Sequence, residues 1–329
     1  MPDPQPEQLR RAQPAEHREA AALLAAGITR ARSGTGGLVL LRGATGTGRT
    51  SVLEGAAEAA AAQGVRVLRA RCSPGWAAAP FAAVLQLLGP VPGSERTDPA
   101  GDEREQAALL RHALRSYAGE SPLLLAVDDV HLADGPSYRW LVEAARHVDR
   151  LPLPILLAVT ERSQYDIDPS APGFTHTLSP ALVDTHTLSP LTPDAAAGLV
   201  RAEHPDAPTA WVESCVRAGA GSPLLLRALL DDLSASAGYA TDVLLPYPDL
   251  PEASAALYQG SYVAAVQWWL DSAGNGTAEV ARALAVLEEG WERAEGGAGA
   301  GGGEAPAGLL GELAGADPAR VAGWLTAMT

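Results

Sequence analysis

The sequence predicts an α/β fold in which a parallel β-sheet is flanked by helices, followed by a small helical domain. Short continuous apolar runs, typical of strands buried on both faces, alternate with longer segments of helical spacing. Such alternation favours parallel strands joined by helices. The chain has 329 residues, which suffices for one domain of this class and a smaller one.

The elements follow one another in a regular order. Five strands are predicted, at 38–41, 65–70, 123–127, 155–160 and within 174–189. Helices are predicted at 15–32, 51–63, 104–119, 137–148, 195–203, 224–233, 277–287, 309–313 and 317–328. Two of them begin at Thr192-Pro193 and Ser222-Pro223, where a capping hydroxyl precedes a proline that suits the first helical position.

A duplicated segment lies at the fifth strand. THTLSPALVD at 175–184 is followed directly by THTLSPLTPD at 185–194. Because only one copy can hold the register of an edge strand, we predict that the other is a loop insertion.

The composition excludes several classes of protein. The formal net charge is −15, whereas nucleic-acid binding draws on Lys and Arg, and the nearby Arg30, Arg32 and Arg42 are too spread out to form a basic stripe. No apolar run reaches the roughly 18–20 residues of a membrane span. Residues 1–14 are polar and Pro-rich, unlike a signal peptide, and we expect them to be disordered. We therefore expect a cytoplasmic protein.

A glycine-rich loop between the first strand and the second helix is the strongest chemical signal. Its spacing matches the phosphate-binding loop G-x-x-x-x-G-K-[ST] at all positions but one. Glycines let backbone N–H groups surround phosphate oxygens, and the helix that follows directs its positive end at the same anion. The alternative is a simple turn between strand and helix. The predicted nucleotide-binding residues of this P-loop are Gly43, Thr45, Gly46, Thr47, Gly48, Arg49, Thr50 and Ser51.

The exception is Arg49, which stands where the motif has lysine. Lysine is a compact point charge, whereas Arg is a bulkier planar fork. Phosphate binding can survive this change, but placing charge on a transferring phosphoryl group is harder. The chain contains no lysine at all, so compositional drift and loss of function both stay open as reasons.

An acidic strand end is the second signal. The buried run LLLAV is followed by Asp128 and Asp129, at the carboxyl edge of the sheet where ligands bind in such folds. We predict that Asp128 and Thr50 hold Mg²⁺ and that Asp129 orients or activates the attacking water. The alternative is an Asp-rich turn.

Two further residues are weaker candidates. Arg162 follows the fourth strand, where a basic side chain can sense a γ-phosphate, or is simply a surface residue. Pro223 opens a helix, where it is either a structural first-turn residue or, by the resemblance described next, an adenine contact.

The segment DDVHLAD at 128–134 resembles the corresponding segment of large bacterial LuxR-type ATPase regulators. These are STAND-class P-loop ATPases whose nucleotide domain is described as an origin-recognition-like AAA domain. Arg18-Glu19, Thr160-Glu161-Arg162 and Gly221-Ser222-Pro223 are similar to other family segments, although Ser222 replaces the family's Asn. The resemblance covers about 15–235 and continues weakly to the end.

The resemblance implies an organisation and a function. It implies an ATPase domain with a helical lid at 15–240, a linker and helix at 241–276, and a partial winged-helix-like domain at 277–329. It also implies that this chain is an N-terminal portion, with the DNA-binding helix-turn-helix beyond it, so we expect no direct DNA binding. We expect an ATP- and Mg²⁺-binding switch in transcription regulation, with weak or no hydrolysis and a tendency to form homo-oligomers. The alternatives are an active ATPase that remodels a partner and a scaffold that binds no nucleotide.

Overall fold

The chain forms two compact units. The first comprises residues 1–43, 47–162 and 171–190, and the second comprises 44–46, 163–170 and 191–329. The computed structural model describes residues 15–76, 78–89, 91, 103–148, 154–163, 174–237, 247, 250, 260–272, 276–284, 286 and 307–322. The predictions for residues 1–14 and for the end of the last helix lie outside these residues, as does most of the predicted linker at 241–276.

Five parallel strands form the sheet of the first unit, which confirms the predicted fold class. The strands are β1 (Gly37–Gly43), β2 (Arg66–Arg71), β3 (Leu123–Asp128), β4 (Ile155–Arg162) and β5 (Asp184–Leu188). Their order is β2-β3-β4-β1-β5. Strand β1, which leads into the P-loop, is therefore next to β4, which ends at Arg162. Strand β3, which ends at Asp128, lies on the other side of β4.

Helices cover both faces of this sheet. The helices of the first unit are α1 (Ala15–Arg32), α2 (Arg49–Ala62), α3 (Ala82–Leu88), α4 (Glu103–Glu120), α5 (Gly135–Val148) and α6 (Phe174–Thr177). Along β1, Val39 and Leu41 pack with α1 and α2, whereas Leu38 and Leu40 pack with the opposite layer of α3, α4 and α5. Each fully buried Leu contributes about 2 kcal/mol, so burial on both faces explains the continuous apolar runs.

The two copies of the duplicated segment adopt different structures. The second copy supplies β5, an edge strand paired with β1, as predicted for one of the copies. The first copy is not a loop, because it forms α6 and a short 3₁₀ turn at Pro180–Leu182. Phe174, at the start of α6, is fully buried with its ring edge-on to Tyr138, and this apolar contact holds the segment on the core.

A buried carboxylate links two helices near the acidic strand end. Asp134 is 3% exposed and accepts hydrogen bonds from the backbone N–H groups of Phe81, Ala83 and Ser137. These donors lie at the N-termini of α3 and α5, where helices leave N–H groups without internal partners. Asp134 thereby caps both helices from one position, although the first two donors are more than 50 residues away in sequence.

The second unit is helical. Its described helices are α7 (Pro193–Glu203), α8 (Thr209–Gly219), α9 (Pro223–Ala237), α10 (Ser261–Ser272) and α11 (Ala307–Ala314), with shorter helical segments at 277–284 and 318–322. The Thr192 hydroxyl accepts a hydrogen bond from Ala195 N at 3.2 Å, as predicted from the Thr-Pro pair. Asp232 on α9 accepts bonds from the N–H groups of Ser261 and Tyr262 and so caps α10.

Candidate functional site

The P-loop joins β1 to α2, and two of its glycines adopt conformations that other residues rarely reach. Gly46 has φ +83° and Gly48 has φ +92°, in the left-handed region that favours glycine. Helix α2 begins at Arg49, with Gly48 as its N-cap. Arg49 and Thr50 therefore lie in the first turn of α2. The helix was predicted to begin at Ser51 but begins two residues earlier, because a glycine N-cap lets it start directly after the loop.

The acidic end of β3 lies against the P-loop helix. The hydroxyl of Thr50 donates to Oδ2 of Asp128 at 2.9 Å, and the hydroxyl of Thr160 donates to Oδ1 at 2.6 Å. Asp129 N in turn donates to the Thr160 hydroxyl at 2.8 Å. Both carboxylate oxygens of Asp128 are thus fixed by hydroxyl groups, and the two residues predicted to hold Mg²⁺ are in direct contact.

Arg49 forms an ion pair with the second acid. Its Nη2 lies 3.2 Å from Oδ1 of Asp129, and both side chains are largely buried, at 10% and 17% exposed. Among the residues that the structure describes, the other terminal nitrogen, Nη1, is buried without a hydrogen-bond acceptor. A buried guanidinium N–H without an acceptor is costly, so this atom is suited to an added anionic oxygen.

Burial and charge shift the titration of this pair. Burial raises the pKa of Asp129, the neighbouring charge of Asp128 raises it further, and the charges of Arg49, Arg71 and Arg162 oppose both. Burial also lowers the pKa of Arg49, although an arginine stays protonated near neutral pH. A carboxylate with a raised pKa is better matched to accepting a proton near neutral pH.

Asp129 also adopts an unusual backbone conformation. Its φ is +53°, in the left-handed region, which Asp tolerates better than most residues. Strained backbone of this kind persists where surrounding contacts hold it, and it clusters at functional sites. Here the holding contacts are the Asp129 N–H to Thr160 bond and the Arg49 ion pair.

Arg162 ends β4 beside a half-buried histidine. Its backbone N–H donates to Nδ1 of His131 at 3.4 Å, so the imidazole is an acceptor at that nitrogen. Burial lowers the pKa of His131 to about 3, and the charges of Arg162 and Arg49 add to the effect. His131 is therefore neutral at physiological pH and is no proton donor to the site.

This depressed pKa predicts a pH dependence of stability. Below about pH 6.5 the unfolded chain protonates His131 while the folded chain does not until about pH 3, so folding stability falls as the pH falls through this window. We expect this residue to contribute a loss approaching about 1.4 kcal/mol per pH unit. Urea unfolding at pH 7 and pH 5 checks it.

The expected result is a shallower pH dependence in His131→Gln than in the natural protein. His147→Gln, which changes an exposed histidine on α5, is the matched control and should keep the natural slope. Equal slopes in all three proteins would show that His131 titrates normally.

Residues 44–46 of the P-loop belong to the second unit and contact its helices. The indole N–H of Trp269 donates to the Thr45 carbonyl at 2.9 Å, and the hydroxyl of Ser222 donates to the Gly46 carbonyl at 3.3 Å. The Thr45 hydroxyl donates to the carbonyl of Ser272 at 3.2 Å. Helix α10 and the turn before α9 therefore hold two loop carbonyls.

The structure brings together four of the predicted site residues, Arg49, Thr50, Asp128 and Asp129. Ser51 is exposed on α2, and Pro223 is the first residue of α9 in the second unit. Sequence reasoning missed His17, whose imidazole Nε2 lies 2.7 Å from the Thr47 carbonyl, and Trp269. No local pattern marks either residue, because each meets the loop across a long stretch of chain.

Two kinds of feature are absent from the part of the chain that the structure describes. No described helix has the length and apolar character that crossing a bilayer requires. No cluster of three or more His, Cys, Asp or Glu side chains suited to a metal ion occurs among the described residues either. A divalent cation at Asp128 and Thr50 would thus need further oxygen ligands from a phosphate or water, as is usual for Mg²⁺.

One part of the chain matches a known protein family. Residues 17–158 match the model of the AAA ATPase domain family. No match was found among curated proteins.

The chain also aligns with solved structures, including a chain of one complex and two single proteins. One is a chain of the E. coli MS115-1 HORMA:CdnC:Trip13 complex (14% identity, TM-score 0.49, 78% of this chain and 93% of that chain). Another is the Aeropyrum pernix ORC2 protein (14%, 0.48, 69% and 63%). A third is Cdc6p from Pyrobaculum aerophilum (17%, 0.49, 72% and 63%). Residues 17–158, which hold the P-loop and most of the parallel sheet, are thus similar to the AAA ATPase domain family.

Proposed function

We propose that the chain binds ATP with Mg²⁺ at the P-loop and serves as the nucleotide-controlled switch of a bacterial LuxR-type, STAND-class transcription regulator. The proposed contacts to the nucleotide are the P-loop residues from Gly43 to Ser51 and, at the adenine, Pro223. The proposed location is the cytoplasm, and the proposed domain boundaries are those expected from the sequence.

The observation that carries nucleotide binding is the buried Nη1 of Arg49, which lacks an acceptor among the described residues. It lies in the first turn of α2, where the N-terminal N–H groups and the helix dipole favour an anion. A phosphate oxygen supplies the missing acceptor with a charge-assisted hydrogen bond. The residues present therefore fit a nucleotide phosphate.

The same reasoning supports Mg²⁺. Asp128 and Thr50 offer a carboxylate and a hydroxyl oxygen in contact with each other, which is the oxygen-rich partial ligand set that Mg²⁺ takes in phosphate sites. Asp128 and Thr50 would hold Mg²⁺, which would supply neutralisation of the phosphate charge. Thr160 fixes the carboxylate through Oδ1, so that Asp128 is held in orientation before any cation arrives.

We propose Asp129 as the residue that accepts a proton from the attacking water and Arg162 as the sensor of the γ-phosphate. The raised pKa of Asp129 suits the first role. The ion pair with Arg49 opposes it, because a carboxylate that neutralises a guanidinium is a weaker base. Weak hydrolysis follows, and slow turnover suits a switch whose two states differ in nucleotide contacts.

The proposed switch rests on competition for Arg49. Asp129 is its partner in the structure, and ATP offers a γ-phosphate that ADP lacks. A ligand shifts a conformational equilibrium only through differential contacts with its states, and this exchange of partners is one such contact. In this proposal the chain itself does not bind DNA, since its net charge is −15.

The deciding experiment is a calorimetric titration of the chain with ATP and with ADP, each with and without Mg²⁺. We expect binding of both nucleotides, with ATP affinity increased by Mg²⁺. A parallel assay of phosphate release should show slow turnover. Rapid turnover would favour an ATPase that remodels a partner. Absence of heat and of thermal stabilisation at millimolar nucleotide would leave only the scaffold.

A further inference from the structure

His17 reaches the P-loop from the first turn of α1. Its Nε2 lies 2.7 Å from the carbonyl oxygen of Thr47, 30 residues further along the chain, and the contact is partly buried. Because the carbonyl can only accept, the imidazole carries its proton on Nε2 and donates it. His17 therefore holds one carbonyl at the turn that leads into α2.

Holding this carbonyl also orients the next N–H group. Thr47 O and Gly48 N–H belong to one planar peptide unit, and no described peptide bond is cis. In a trans unit the two groups point in opposite directions. The bond to His17 therefore directs the Gly48 N–H away from the imidazole.

The imidazole also packs on Gly48 itself. A Cβ atom built on Gly48 would lie 2.5 Å from Cε1 and 2.8 Å from Nε2 of His17, closer than any real contact allows. Gly48 is the N-cap of α2, and N–H groups at such a position are phosphate donors in P-loops. His17 thus contacts the peptide unit that presents one of these donors, from the side opposite to its N–H.

We propose that His17 is a positioning residue for phosphate binding, which presets the Thr47–Gly48 peptide so that the Gly48 N–H is directed at the nucleotide phosphates. This inference rests on the proposed function. Preorganisation of this kind lowers the cost of ordering the loop on binding. Since the loop N–H groups serve phosphates that ATP and ADP share, both nucleotides should depend on His17 equally.

The test compares His17→Ala, His17→Asn and His17→Gln in titrations with MgATP and MgADP. The Gln amide N–H reaches the position of Nε2, whereas the shorter Asn amide does not. We expect affinities about tenfold weaker in the Ala and Asn variants for both nucleotides, and affinity near the natural value in the Gln variant. Thr29→Ala, an exposed change on the same helix, is the control and should bind normally.

Each outcome decides a different question. If the natural protein binds neither nucleotide, the proposed function is wrong and the role of His17 is wrong with it. If the natural protein binds and all three variants bind as tightly, only the role of His17 is refuted. Should the Ala variant fail to fold, equal affinities of the Asn and Gln variants refute it as well. Lower melting temperatures with unchanged affinities would show a purely structural contact.

Discussion

Replacing Asp128 by Asn is expected to weaken Mg²⁺-dependent ATP binding by at least about a hundredfold. The variant keeps the shape of the side chain and an oxygen that can accept a hydroxyl, but it loses the charge that binds the cation. Changes to residues that only support a metal ligand cost about 10–100-fold in metal affinity, so loss of a direct ligand should cost at least as much. Titration with ATP in Mg²⁺ and again in a chelator measures the effect.

The control is Asp184→Asn, which removes the same charge from a half-exposed aspartate that pairs with Arg30 at the edge strand β5. It should leave the affinity for MgATP unchanged. If Asp128→Asn binds MgATP as tightly as the natural protein, Asp128 does not hold the cation. If Asp128→Asn does not fold, Thr50→Val tests the other ligand, and unchanged affinity there carries the same conclusion.

Restoring lysine in the P-loop, as Arg49→Lys, should raise the rate of ATP hydrolysis about tenfold or more, which corresponds to about 1.4 kcal/mol of activation free energy. Lysine places a compact charge on the phosphoryl group, whereas the Arg fork is bonded to Asp129 in the structure. The change also weakens the ion pair and frees Asp129 to accept a proton. Steady-state phosphate release at saturating MgATP is the measurement.

Arg69→Lys is the matched control, because Arg69 is an exposed arginine of β2 whose Nε lies 3.2 Å from Oε2 of Glu54. The same substitution there should leave turnover unchanged. Equal turnover in the natural protein and in Arg49→Lys would show that Arg49 does not limit hydrolysis, and weak turnover would then need another cause.

The strands could be predicted from the sequence because burial on both faces demands continuous apolar residues. Their ends could not be placed as well. β4 was predicted to end at Thr160 but continues to Arg162, because its register with β1 pairs Gly43 with Arg162. Pairing with a neighbour extends a strand beyond its apolar run, and no feature of residues 155–162 announces it.

Helix α3 and helix α8 were not predicted. Helix α3 has only seven residues, and its start depends on Asp134, which is more than 50 residues away. Helix α8 follows Pro208, which makes no side-chain capping bond. A local sequence pattern does not show a helix cap that comes from a distant residue, and it offers no start signal where the capping bond is absent. Helices of this kind therefore cannot be predicted from local sequence alone.

In the candidate site, too, local motifs could be predicted from the sequence, whereas contacts between distant residues could not. The P-loop and the two acids of β3 were predicted because each is a contiguous motif with a chemical reason for its spacing. The hydroxyl of Thr160, which joins Asp128 to the Asp129 N–H, lies in a segment noted for its arginine. The left-handed backbone of Asp129 and the contact of His17 with Thr47 arise from tertiary packing, and one sequence does not encode them in any local form.

Either copy of the duplicated segment has a sequence that could pair with β1 at the edge of the sheet. The copies are offset by ten residues, an even number, so pairing the first copy with β1 would keep every side chain on its proper face. The residues that precede the copies differ, because Phe174 stands before the first and Asp184 before the second. Correct pairing sets Asp184 opposite Val39 and beside Arg30, and leaves Phe174 in the core.

During synthesis the first copy leaves the ribosome before the second, when β1 is already available. A nascent chain that paired early would have to expose Phe174 and forgo the ion pair of Arg30, and release of that false strand would precede formation of the native edge. The different side chains at positions 174 and 184 thus favour the native pairing of the second copy with β1 over pairing of the first.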